Sequence, residues 1–69
     1  MPGIYSIGDI VEYPVQWPGF IQYRKGMIAS DEYMLANRFG ESHSAYDILT
    51  EDGNKLIMEF SMNIIRRGK

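Results

Sequence analysis

Apolar and polar positions alternate along this chain in short runs of strand length joined by turn residues, most clearly between Ala45 and Arg67. Ala45-Tyr46-Asp47-Ile48-Leu49-Thr50 reads as one strand and Lys55 to Phe60 as another, with Asp52-Gly53-Asn54 between them. An Asp-Gly turn between two such runs is a strong hairpin signal, because residues tolerant of positive φ close it at little cost. A polar break at Ser61-Met62-Asn63 follows, then a last apolar pair, Ile64-Ile65, before Arg66-Arg67.

Upstream, Met1 to Ser6 carries Pro2 and Gly3 and reads as an extended lead-in. Ile7 to Tyr13 predicts a first strand, with Val11 and Tyr13 on one face, Ile10 and Glu12 on the other, and a bend at Gly8-Asp9. Pro14 and Pro18 cannot donate to a ladder, so this strand is expected to end, or to reach an edge, near Pro14. Pro14 to Phe20 then reads as a loop carrying Trp17 and Phe20 around Pro18-Gly19. Ile21 to Ala29 predicts a second strand, and Gly26 in its middle suits a sharp coil or bulge in a small barrel.

Ser30 to Ser44 carries two patterns. Ser30-Asp31-Glu32 has the form of a helix N-cap, Met34, Leu35, Arg38 and Phe39 fall at helical spacing, and Gly40 is placed as a stop. The competing pattern is a strand, Tyr33 to Arg38, in a hairpin closed by Gly40-Glu41-Ser42. The strand ranks first, because an all-β context needs a partner for the edge of the next strand. The expected fold is therefore all-β: a small barrel of about five strands, with a short helix or an extra hairpin over residues 31–39.

Composition narrows the reading. At 69 residues the chain makes a single domain, 1–69, and one this small buries only about 60% of its unfolded surface. With no cysteine it has neither a disulfide nor a thiolate ligand. Small domains without such staples often gain burial by self-association or by docking on a partner. The formal net charge of −2 and pI near 5.2 count against a general nucleic-acid binder, whose footprint is normally basic. There is no basic segment followed by an apolar signal core, and no apolar run of membrane-spanning length. A soluble, non-secreted, cytoplasmic protein with no membrane association is expected. A domain this small, starting at its own methionine, suits a bacterial or phage accessory protein.

The order of motifs resembles the SH3-like barrels, and within them the Tudor-type small domains. The resemblance is carried by Gly8, Asp9 and Val11; by Tyr23 to Ile28; by Ile48 with Asp52-Gly53-Asn54; and by Met58 to Ile65. The long Ser30 to Ser44 segment departs from the compact pattern. The resemblance implies a binding module, and in Tudor-like domains a cage of aromatic rings that attracts a methylated cation. The type II dihydrofolate reductases are similar short SH3-like chains, built as tetramers around one active site, with a Val-Gln-Ile-Tyr stretch on a late strand. The corresponding Leu56-Ile57-Met58-Glu59 lacks both the Gln and the Tyr, which argues against that activity and leaves the oligomeric habit open.

Candidate chemistry follows from these residues. Tyr13, Trp17, Phe20 and Tyr23 cluster around the first loop, with Tyr46 able to approach from the third strand. Such rings either form a binding site or fill a core that needs their area. Trp17, flanked by Pro18-Gly19, is the exception that reads as an interface anchor. Arg24, Lys25, Arg66 and Arg67 are candidate nucleic-acid contacts; together with Lys69 at the end of the chain they otherwise read as a solvated basic set that blunts an edge strand. His43 is the single histidine; without cysteines it cannot close a structural zinc site, and it reads as a loop residue. No metal, no cofactor and no catalytic constellation is implied. The first expectation is thus a non-catalytic module that binds a protein partner or itself through Trp17 and the adjoining aromatics. A nucleic-acid-binding barrel stands second and a small oligomeric enzyme third.

Overall fold

Six antiparallel strands and one short 3-10 turn account for the alternating runs in the structure, a computed structural model that describes residues 3–68. The first two positions of the expected lead-in, and Lys69 of the basic set, lie outside these residues. The strands are β1 (Ile10–Trp17), β2 (Phe20–Ile28), β3 (Tyr33–Ala36), β4 (Ser42–Thr50), β5 (Gly53–Met58) and β6 (Asn63–Arg66), with the 3-10 turn Glu59–Ser61 between β5 and β6. Their order in the sheet is β3-β4-β2-β1-β6, and β5 pairs with β4 off that path. The sheet curls into a half-barrel. Among the described residues no helix is long and apolar enough to cross a membrane.

The helical alternative for residues 31–39 is not adopted. Tyr33 to Ala36 instead lie opposite Ala45 to Ser42, in antiparallel register with β4. A helix here would have left the first half of β4 without a ladder on that side, which outweighs the weak capping signal at Ser30. The later hairpin forms with Thr50 opposite Gly53, whose φ of +101° is the positive value the turn requires. The Thr50 hydroxyl donates to the Gly53 carbonyl (2.8 Å) and accepts from the Asp52 amide (3.1 Å).

The expected loop Pro14 to Phe20 needs correcting. β1 continues through Pro14 to Trp17, and the connection to β2 is only Pro18-Gly19. A two-residue turn makes its closing pair, Trp17 and Phe20, a hydrogen-bonded pair, so alternation makes Pro14–Tyr23 a non-hydrogen-bonded one. The proline nitrogen therefore points away from β2. On that side β6 reaches β1 no further than Asn63 opposite Glu12, so no ladder bond is lost.

One face of the sheet closes on the core: Tyr5, Val11, Tyr13, Ile28, Tyr46, Ile48 and Met62, with Val15 and Ile57 against its margin. β4 pairs with β3 through its first half and with β5 through its second, while it meets β2 only at Met27–Leu49 and Ile28–Ile48. Gly26 permits that crossing. A Cβ there would stand 2.4 Å from Ile48 Cγ2 and 3.0 Å from the Leu49 carbonyl oxygen. Gly26→Ala is expected to lower stability by about 1–3 kcal/mol through overpacking. In urea unfolding its midpoint should fall with an unchanged slope; an unchanged midpoint would show that β4 does not need this close approach.

Candidate interaction site on the first hairpin

Two neighbours stop short of the β1–β2 hairpin's outer part. β6 ends its pairing at Glu12 and β4 begins its pairing at Met27, so Tyr13 to Lys25 project as a two-stranded arm. The register divides the arm into two faces. Tyr13/Arg24, Val15/Gln22 and Trp17/Phe20 continue the core side, whereas Glu12/Lys25, Pro14/Tyr23 and Gln16/Ile21 lie on the other.

At the arm's tip Trp17 and Phe20 stack, with ring centroids 6.4 Å apart and planes inclined by 18°. They remain 41% and 59% exposed. Polar side chains on the same face hold Trp17, on which Phe20 stacks. Trp17 Nε1–H donates to Gln22 Oε1 (3.1 Å), Arg24 Nε–H donates to the same oxygen (3.2 Å), and Arg24 Nη1 pairs with Asp52 Oδ2 (3.0 Å) in the β4–β5 turn. This relay ties the arm to the next hairpin. It also borders a cleft of about 510 Å³ lined by Gln22, Tyr23, Arg24, Lys25, Glu51 and Asp52. Gln22 did not stand out in the sequence and Asp52 did so only as a turn residue, because neither signals a role in this site until the register puts them beside Trp17 and Arg24.

The other expected aromatics go elsewhere. Tyr23 is exposed on the opposite face of the arm, while Tyr13 and Tyr46 are buried. Tyr46 donates its hydroxyl proton to Glu59 Oε2 (2.9 Å), accepts from the Tyr5 amide (3.4 Å), and meets the Tyr5 ring edge to face at 5.5 Å. Burial pushes the Tyr46 hydroxyl up to about 12; the Glu59 carboxylate adds to the rise and the Tyr5 amide offsets part of it. The rings therefore do not surround a common point. His43 lies on β4, not in a loop, with its ring 5.5 Å from that of Phe60.

The basic candidates are likewise separated. Arg24 and Lys25 lie on β2, and β1 stands between them and Arg66 on β6. Arg24 is paired with Asp52 and Arg67 with Asp9. Asp9, expected to help a bend and to open the resemblance motif, is the buried polar residue among the described residues, at 2% exposure. Its Oδ2 accepts from the Ser6 amide (3.0 Å) and from Arg67 Nη1 (3.0 Å), and its Oδ1 accepts from the Gly68 amide (2.8 Å). Arg67 Nη1 also donates to the Ile4 carbonyl (2.9 Å).

Comparison with known proteins finds no family model, no curated sequence and no solved structure that matches this chain. What can be said of the site therefore comes from its own geometry.

The amides of Ser6 and Gly68 foremost, and then Arg67, hold the Asp9 carboxyl below the usual carboxylate range against the opposing effect of burial. A carboxyl depressed in the folded state contributes its stability above its unfolded pKa, about 3.9, and loses it as pH falls through the folded value. The raised Tyr46 works at the other end: its contribution is complete below about pH 10 and is lost as pH climbs towards the folded value. A stability plateau between about pH 4 and pH 10 is expected. Asp9→Asn should cost about 1–3 kcal/mol at neutral pH and flatten the acid limb, and Tyr46→Phe should flatten the alkaline limb. Denaturation midpoints measured across pH check both, and limbs unaltered by these substitutions would sink the assignment.

Proposed function

We propose that this chain is a non-catalytic interaction module of the SH3-like small-barrel type, which grips a protein partner with the Trp17–Phe20 pair at the tip of the β1–β2 arm. The observation that carries the reading is that these two rings are stacked, with Trp17 held by the Gln22–Arg24–Asp52 relay, while much of their surface stays open to solvent. Pre-positioned aromatic surface loses little freedom on binding and supplies large apolar contact, the usual makings of an interface anchor. The polar groups beside the rings are paired with one another, which suits holding better than chemistry.

The barrel type is supported by the order of pairing. β1 pairs with β2, β2 with β4, β4 with β5, and after a short turn β6 returns to β1. That is the order the motif resemblance implies, with β3 as an addition. The partner we envisage presents an apolar or aromatic segment to the tip, flanked by polar groups able to reach Arg24 and Asp52. The nucleic-acid reading gains less from the geometry, since its four cations form no continuous stripe and two of them are already in ion pairs.

The test is retention of proteins from an extract of the native host by the immobilised chain. Trp17→Ala is expected to abolish capture of the specific partner and to leave the thermal midpoint nearly unchanged, because the side chain is half exposed. An identical captured set would remove Trp17 as the anchor. Single-stranded DNA binding that weakens steeply with salt and is lost on Arg66→Ala would put the nucleic-acid reading in its place. Arg66 is the cleaner choice for that arm, because removing Arg67 would also uncover the buried Asp9.

A further inference from the structure

The convex face of the sheet, away from both the core and the Trp17–Phe20 pair, is unusually apolar. Across β1 and β2 it presents Ile10 opposite Met27, Glu12 opposite Lys25, Pro14 opposite Tyr23 and Gln16 opposite Ile21. Leu49 extends it beside Met27, and Leu56 lies diagonally beyond on β5. Ile21, Tyr23, Met27, Leu49 and Leu56 are all exposed. The chain is also flat, 34 × 31 × 19 Å, because one curled sheet has no second layer on this side. Its accessible surface of 5079 Å² compares with about 4,450 Å² for a compact monomer of its 8.0 kDa mass. The surplus of roughly 600 Å² approaches the roughly 800 Å² that each partner gives up in a standard interface.

The charges on this face say what covers it. Glu12 and Lys25 are cross-strand neighbours in the middle of the apolar stripe. The ion pairs among the described residues are Arg24–Asp52 and Arg67–Asp9, so Glu12 and Lys25 are not joined to each other. In an isologous dimer, residue i meets j and j meets i. If two copies pack face to face about a two-fold axis running along the strands between β1 and β2, each β1 lies over the partner's β2. Every residue then faces the other copy of its own cross-strand neighbour. Glu12 would meet the partner's Lys25, Ile10 the partner's Met27, and Pro14 the partner's Tyr23. At these three positions the stripe is complementary to itself in charge and apolarity, while at its outer end Gln16 would meet the partner's Ile21.

We propose that the occupant of the convex face is a second copy of this chain, joined about that axis into a two-layer sandwich of sheets with a reciprocal Glu12–Lys25 pair at its centre. Aligned face-to-face packing of two antiparallel sheets is a common solution for covering an apolar sheet face. The arrangement leaves the Trp17–Phe20 pair of each copy free on the outer side, so it does not depend on the binding role proposed for those rings.

Sedimentation velocity and light scattering on the full chain provide the test. The wild type should sediment as a dimer, and Lys25→Glu or Glu12→Lys should each raise the dissociation constant about a hundredfold, since the axis doubles every like-charge contact. The double exchange, Glu12→Lys with Lys25→Glu, should restore the dimer. Trp17→Ala should leave the dimer intact even where it abolishes partner capture. Circular dichroism confirms that each variant is folded. Should a reversal not fold, Lys25→Ala, which removes the pair without placing like charges together, is expected to weaken the dimer about tenfold. A monomeric wild type would overturn the proposal. So would folded single reversals that dimerise normally, or a folded double exchange that does not recover.

Discussion

The closure of this small fold depends on one carboxylate. Asp9 collects the amides of Ser6 and Gly68 and the guanidinium of Arg67 around a side chain that water barely reaches. Those partners come from opposite ends of the described chain. A buried charge is tolerable only when its oxygens are satisfied, so the lead-in and the segment after β6 are obliged to meet there. Tyr5 and Met62 strengthen the same junction, the Tyr5 hydroxyl donating to the Met62 carbonyl at 3.1 Å. With no disulfide in the chain, this polar clamp substitutes for a covalent staple.

The second constraint is the crossing of β4 over β2. Gly26 lets the two backbones approach, and β4 then diverges to pair with β3 on one side and β5 on the other. Because that contact spans only two residue pairs, most of β2 is left without a neighbour beyond β1. The projecting arm is thus a consequence of the curl that encloses the core. A two-stranded ribbon is marginal alone in water, and here the Arg24–Asp52 pair braces it against the β4–β5 turn.

The arm offers two surfaces with different chemistry. Its core-side face ends in a braced aromatic pair suited to gripping something of another kind. Its convex face joins an apolar stripe whose central charges complement their own mirror order, which suits a second copy. The period-2 alternation of a strand keeps the two apart, so a substitution at Trp17 and one at Lys25 probe independent events.

Much of the architecture was legible in the sequence. Alternating runs, an Asp-Gly turn and the lack of a long helical pattern gave the all-β class and most strand positions, because turn chemistry and side-chain period act within a few residues. The strand at Tyr33 was separable from a helix only by the need to pair β4. Other features were decided by tertiary structure. Pro14 lies within a strand because β6 stops short of it. Tyr13 and Tyr46 became core while Trp17 and Phe20 stayed outside, since burial depends on where the sheet curls and not on residue type. Arg67 was claimed by Asp9 across 58 positions of sequence, and Arg24 by Asp52 across 28. Local spacing determines which segments are strands; which charges meet, and which rings stay open, is settled only when distant segments share one volume.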